Sequence, residues 1–520
     1  MVAVPEIQPR RSAGAKRSPR HQLDMTGWQL AGRFRSAWRG PTQESAGAPS
    51  QIDLGRLLMA PAAPPGELAE ALAFAIAQGA LESAGRLAML LEPSLPELSG
   101  TSAARACESV VEALIIHGQR DRARTLARAH ALALAATANG ASLLELLDLG
   151  DDSAWLPTGR PNLLALGRLL RSGKLDGREL RSIIARRPWL WLSAPELHLL
   201  MFTALWPNDP ARALCCLNRF LELQSLPRLH LRDGEPESAN VLARLQLESP
   251  GKPANASGPL VSILVAARNA EVTVGYAVRS LLEQTYPSVE ILVGDDASED
   301  ATFDVLRGLG ASDSRIRLFR STRPQGAYNV RNALARAARG TLLTFHDADD
   351  FALPTRIASQ VEIMQQNASV ACVGSWLRVR PDGRFVFFKN QKALRLSLVS
   401  LMVGRQLFFE QGGFRSARVG ADLELYERLR ARLGADAVTR IRAPLILGLW
   451  SEQSLTRQSG TEALEDGYRS AVRRSYSELV YLQRRPRAQP SDADCDALLR
   501  ASGNYAERNE VVELGPAESR

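Results

Sequence analysis

Lysine is almost absent from this chain. Of its 64 cationic side chains only Lys16, Lys174, Lys252, Lys389 and Lys392 are lysines. The others are arginines in a background rich in Ala, Gly and Pro, a pattern that follows GC-rich coding. The net charge of +8 is therefore discounted as a nucleic-acid signal, and no RNA-binding or helix-turn-helix signature revives it, so no nucleic-acid partner is expected. Long apolar runs are also missing: none approaches the roughly 18 to 20 residues that span a bilayer, and the N-terminus lacks the apolar centre of a signal peptide. The five cysteines, Cys107, Cys215, Cys216, Cys372 and Cys495, have neither metal-ligand nor disulfide-framework spacing. A cytoplasmic protein is expected, with the Asn255-Ala256-Ser257 sequon an accident of sequence.

What is present is an ordinary globular composition, 45% apolar and 23% charged over 520 residues, enough for two to four domains. Residues 1–50 are basic and low in acids; they read as disordered, with electrostatic docking on the inner face of the membrane as the alternative. Residues 51–231 are Ala- and Leu-rich with helical periodicity. Gly79 before Ala84 and Gly118 before Ala123 suggest helix pairs of a weakly tetratricopeptide-like kind, with Asp209-Pro210 as a further turn. This all-α helical-hairpin region is a candidate to bind a protein partner. Residues 232–258 carry the Pro, Gly, Ser and Asn of a linker, which predicts two separable halves. An α/β domain is expected over 259–458, an amphipathic helix over 459–483 and a disordered polar tail over 484–520.

Within the α/β region three short apolar runs each end in a cluster of special residues. Val261 to Ala266 leads to Ala267-Arg268-Asn269, Val289 to Gly294 to Asp295-Asp296-Ala297-Ser298, and Thr341 to Phe345 to His346-Asp347-Ala348-Asp349-Asp350. Helical patterns lie between them, so a parallel sheet is predicted, with all three clusters beyond the carboxyl ends of its strands in one crevice. Residues two apart in a strand face the same side, which lets Asp347 and Asp349 aim at one point while Asp350 turns away. Two such carboxylates suit Mg²⁺ or Mn²⁺ completed by phosphate oxygens. Asp492-Ala493-Asp494 repeats the spacing without a preceding strand and reads as a solvated acidic run. Asp295-Asp296 can hold a base or ribose, or can cap the next helix together with Ser298. Arg331 opens a helix and can pair with a diphosphate or an aspartate. His346, a lone histidine at a strand end, reads as structural.

The segments VSILVAARNA, SLLEQTYPSVEILVGDDASED, GAYNVRNALARAARGTLLTFHDADD and GGFRSARVGADLELYERL occur in an order that resembles the family-two inverting glycosyltransferases with a GT-A fold. The resemblance covers about Pro259 to Leu455, and His346 to Pro354 is similar to the His-Asp-x-Asp-Asp version of that family's metal motif. It implies a GT-A (Rossmann-like, nucleotide-sugar-binding) domain. By the same resemblance Ala266, Arg268 and Asp296 would lie at the nucleotide base, Arg331 near it, Asp347 at ribose or metal, and Asp349 on the metal. Asp422 would be the general base, although Ala421 replaces the acid that the family usually has before it. Glu424, two residues on, points away from that face.

The implied reaction moves a sugar with inversion from a nucleoside-diphosphate donor to a glycan or lipid-linked glycan in bacterial surface polysaccharide synthesis. The rival readings are a nucleotidyltransferase, which lacks a triphosphate loop here, and a scaffold whose helical half binds partners beside an inactive domain.

Overall fold

The computed structural model describes residues 54–58, 63–150, 153–156, 158–206, 208–234, 240–247, 258–367, 369–483, 492–501, 504, 506 and 511–514. The basic start and the Asn255 sequon lie outside the described residues.

The α/β region forms because its apolar runs are too short for helices and are buried on both faces, as parallel strands require. Strands β3 (Val261–Ala267), β4 (Val289–Asp295), β5 (Ile316–Ser321) and β6 (Leu342–Asp347) lie in the order β5-β4-β3-β6, all parallel. The sheet continues from β6 through β9 (Leu394–Gly404), β8 (Ala371–Val379) and β10 (Val438–Leu449) to β7 (Phe351–Ala352). β9 runs antiparallel to both neighbours and β10 parallel to β8. The helix Ala327–Ala337 packs so tightly over β4 that a Cβ on Gly294 would stand 2.5 Å from Val330 Cγ1.

The two expected helix pairs are Pro65–Gln78 with Leu81–Leu91, joined at Gly79 (φ 78°), and Gly100–Ile116 with Arg120–Ala129, joined at Gly118. The left-handed φ of Gly79 closes the first helix at no steric cost. Asp209 caps Pro210–Leu223 by accepting from the Arg212 amide at 3.1 Å. Among the described residues no helix is long and apolar enough to cross a membrane.

Three sequence expectations need correction. First, the stretch 232–258 is not simply a linker. Leu245–Leu247 forms a strand (β2) antiparallel to β1, Leu229–Leu231, and Val241, Leu242 and Leu245 are buried. They belong to one core that joins Phe202, Trp206 and Phe220 of the helical region to Leu377, Phe385, Phe387 and Leu449 of the sheet region. Residues 53–520 accordingly form one compact unit. Apolar residues scattered in a polar segment mislead the eye because each is buried by a partner far away in sequence.

Second, the helix expected over 459–483 spans Ala471–Gln483. The preceding 451–470 is a loop tied to the helical region: the Arg469 amide donates to Ile116 O at 3.1 Å, and Arg120 pairs with Asp466 at 2.5 Å. Third, the tail contains a helix, Asp492–Ala501, and a strand β11, Val511–Leu514, antiparallel to β5. Cys495 and Leu499 on that helix are fully buried and join a core cluster with Phe408, Phe414 and Tyr476. Asp492-Ala493-Asp494 opens this helix.

Candidate active site

The sheet grows in two directions from β3, with β4 and β5 on one side and β6 on the other. Such a switch point opens a crevice beyond the strand ends, where ligands bind in open α/β sheets. The register fills that crevice with the predicted residues: Ala266 stands opposite Asp347, and Ala267 opposite Asp295. The chain leaves β3 and β4 through left-handed non-glycine residues, Asn269 (φ 47°) and Ala297 (φ 53°). This costly backbone is held by the Asn269 amide donating to Ser298 Oγ (3.0 Å) and the Glu299 amide donating to Asn269 Oδ1 (3.0 Å). Ser298 therefore ties two loops together. The helix that follows, Thr302–Ser312, has Ala301 at its N-cap and no side-chain cap, so the capping reading of Asp295, Asp296 and Ser298 does not hold.

Asp296 is buried and accepts from the Gln325 amide (2.9 Å) on one oxygen and the Gly326 amide (2.8 Å) on the other. Burial nonetheless raises its pKa. Its carboxylate anchors the loop that launches Ala327–Ala337. Ala266 is half-buried beside it, and Arg268 is exposed at the rim.

Arg331, on the same helix, is 4% exposed and donates to Asp347 Oδ1. The Asp347 side chain keeps 37% of its surface open while Arg331 holds one of its oxygens. Burial, and then the charge of Asp347, push the Asp349 carboxyl up to about 6. Asp350 does turn away: it is fully buried and accepts from the Leu449 amide at 3.0 Å. His346 is fully buried too, with Nδ1 accepting from Arg356 (2.9 Å) and Nε2 donating to Asp350 O (3.1 Å). Burial and the Arg356 cation hold it neutral, with a pKa well below the usual histidine range. It fixes the strand end.

Asp422 lies in the first turn of Ala421–Leu433, which is capped at Gly420 (φ 82°) and not by Asp422 itself. Its Oδ1 accepts from Tyr328 Oη at 2.9 Å, a link that sequence reasoning missed because it joins two helices nearly a hundred residues apart. Tyr328 belongs to the same helix as Arg331, so one element holds both Asp347 and Asp422. Asn332 of that helix also fixes the Gly412-Gly413-Phe414 turn, accepting from the Phe414 amide at 2.9 Å and donating to its carbonyl at 2.8 Å. Glu424 faces elsewhere, fully buried between Arg415 (3.1 Å) and Arg428 (2.8 Å).

Further members of the site had no local signal. Arg378 stacks 3.4 Å above the Trp376 ring and lies 3.7 Å from Asp350. Tyr276 Oη donates to the Asp349 carbonyl at 2.7 Å and receives a bond from Asn240 at 3.3 Å.

Comparison with known proteins bears on this arrangement. The family model "Glycosyl transferase family 2" matches residues 262–425. The Escherichia coli protein WfaP, a UDP-Glc:alpha-D-GlcNAc-diphosphoundecaprenol beta-1,3-glucosyltransferase, is 38% identical over 20% of this chain and 41% of its own length. The succinoglycan biosynthesis protein ExoO of Rhizobium meliloti is 33% identical over 28% of this chain and 41% of its own. The chain thus spans about two fifths of the length of these curated relatives. Among solved structures, S. aureus TarS 1-349 in complex with UDP-GlcNAc is similar at 15% identity and a TM-score of 0.35, over 47% of this chain and 71% of that one, a likeness too slight to bear on the site. The match to the glycosyl transferase family 2 model runs over the strand ends, the Arg331 helix and Asp422.

Proposed function

We propose that the protein transfers a sugar from a nucleoside-diphosphate donor to a hydroxyl of a glycan or lipid-linked glycan, with inversion, in bacterial surface polysaccharide synthesis. One observation carries the reading: a single helix, Ala327–Ala337, holds Asp347 through Arg331 and Asp422 through Tyr328, so the donor end and the acceptor end of the crevice share one rigid support. Ala266, Arg268 and Asp296 would border the base, with Asp296 acting mainly through the loop it anchors. Asp422 would take the proton of the attacking hydroxyl, at a helix start that favours its charged form.

Asp347 and Asp349 fit a divalent ion, Mg²⁺ or Mn²⁺. Burial and then the charge of Asp347 raise the Asp349 pKa, and a cation between the two carboxylates would offset both costs. No group of three or more potential ligands exists among the described residues, so the remaining ligands would be diphosphate and water oxygens. When bound, the ion neutralises charge that develops on the departing diphosphate. Work at the inner membrane face, from the cytoplasm, is the setting this reaction needs if the acceptor is lipid-linked.

Metal and nucleotide should therefore bind together. With Mn²⁺ and UDP at about 100 times its dissociation constant, the native protein should gain about 2.7 kcal/mol of stability, read as a rise in melting temperature. Asp349→Ala should lose the Mn²⁺-dependent part, whereas Asp494→Ala should keep it. Equal behaviour of the two variants would refute the metal reading.

A further inference from the structure

Residues 411–420 lie between the helices Arg405–Glu410 and Ala421–Leu433 and belong to neither a helix nor a strand. Their buried peptide groups must find partners elsewhere in the chain. Val419 is buried, and the side chain of Asn504 meets both of its main-chain polar groups. The Val419 amide donates to Asn504 Oδ1 at 3.0 Å, and Asn504 Nδ2 donates to the Val419 carbonyl at 3.1 Å. A carboxamide carries an acceptor and a donor side by side, so it can pair with the N–H and C=O of one residue as a neighbouring strand would. The Arg418 amide adds a third bond, to the main-chain carbonyl of Asn504 at 2.7 Å. Asn504 itself is fully buried.

The same stretch also grips the helix that carries Tyr328 and Arg331. The Ala506 amide donates to Ser416 O at 2.9 Å. Asn329 of the Ala327–Ala337 helix donates to Ala506 O at 3.2 Å and accepts from Ser416 Oγ at 3.0 Å. What these bonds hold is the start of the Asp422 helix. Gly420 follows Val419 directly, takes the left-handed φ of 82° as the N-cap, and accepts from the Glu424 amide at 3.1 Å. Tyr476 packs so closely on it that a Cβ there would stand 2.8 Å from the ring. No side chain caps this helix, so the place where its first turn begins is set from outside it. Tyr328 holds the Asp422 carboxylate, and Asn504 holds the backbone from which that carboxylate hangs.

We propose that Asn504 is a positioning residue for Asp422: by clamping Val419 it fixes the first turn that presents the proton-accepting carboxylate. This rests on the transfer reading above, in which Asp422 takes the proton of the attacking hydroxyl. A general base works only within hydrogen-bond reach of that proton, and a displacement of about 1 Å can cost about a hundredfold in rate. Asn504 lies beyond the residues 262–425 that the family model matches, so the base is steadied by a part of the chain outside that match.

The test is a double-mutant cycle on the full chain, read as nucleoside diphosphate released from a panel of UDP- and GDP-sugars with Mn²⁺. Asn504→Ala should lower kcat by roughly 10- to 100-fold while the donor KM and UDP affinity hold. In the Asp422→Asn background the same change should cost no more than about a few fold, because the group it positions is already gone. An equal loss in both backgrounds would make Asn504 merely structural and overturn the proposal. Asn504→Asp keeps the oxygen that receives the Val419 amide but loses the donor, so its kcat should fall between native and Asn504→Ala; it decides the matter if Asn504→Ala does not fold, and native turnover in it would overturn the proposal. Hydrogen exchange needs no substrate: the Val419 amide should exchange roughly tenfold faster or more in Asn504→Ala, and an unchanged rate would also overturn the clamp. Full turnover by Asp422→Asn alone, or none by the native protein on the whole panel, would instead count against the transfer reading.

Discussion

A chain shortened to begin at Pro253 should not fold. That cut would strip Phe202, Trp206, Phe220, Val241 and Leu245 from a core they share with Leu377, Val379, Phe385, Phe387, Leu447 and Leu449. Phe202 meets Phe385 with ring centroids 5.3 Å apart, and a Cβ on Gly383 would stand 2.4 Å from the Trp206 ring. Re-exposing one large apolar side chain costs about 1.5–3 kcal/mol. Six of them lose on the order of 10 kcal/mol, comparable to the whole stability of a typical domain. Hydrogen bonds across the cut go too: the Val241 amide to Pro381 O (3.2 Å) and the Phe385 amide to Thr203 Oγ1 (3.2 Å). Near-ultraviolet circular dichroism and a melting curve on residues 253–520 give the answer. A cooperative melt with native-like aromatic signal would refute the shared core.

Asp422→Asn should keep the fold and donor binding but lose about 10² to 10⁴ in turnover, the usual worth of general-base catalysis. Asn retains an oxygen to accept from Tyr328 Oη and from the Leu423 amide, which lies 2.9 Å from Asp422 Oδ1. Because Gly420 caps the helix, loss of a cap cannot account for the effect. The comparison is a transfer assay alongside UDP binding by each protein. Turnover within a few fold of native would remove Asp422 from the chemistry. Glu424→Gln makes a poor control: it leaves Arg415 and Arg428 buried against a neutral group, and breaking such pairs destabilises by about 3–5 kcal/mol. Its expected result is a lowered melting temperature, with the surviving folded protein active.

The crevice was legible because strand ends speak locally. Apolar runs of five or six residues followed by Asp295-Asp296 or Asp347-Ala348-Asp349 place their carboxylates without any knowledge of partners, and β3, β4 and β6 carry them where expected. Asp422 came through resemblance alone, and its setting was invisible: no periodicity reports that Tyr328 reaches it. Asn240 shows the same limit. In sequence it is one polar residue in a segment of Pro, Gly and Ser, yet through Tyr276 it steadies the carbonyl of Asp349. Side chains that act across the fold leave no spacing to read, and a segment's polarity hides the few buried groups, such as Val241 or Leu499, that decide its place.

Strand β11 closes the flank of the sheet by pairing with β5, although nearly two hundred residues separate them in the chain. During synthesis β5 is therefore complete long before its partner leaves the ribosome, by about 10 to 40 s at ordinary elongation rates. Through that interval its outer row of amides and carbonyls stands open, the geometry that invites a neighbouring nascent chain to pair with it. Arg317 and Arg320 on β5 place charge along this waiting edge. Val511–Leu514 thus act as a late seal, and the edge passes from open to paired only once they have been made.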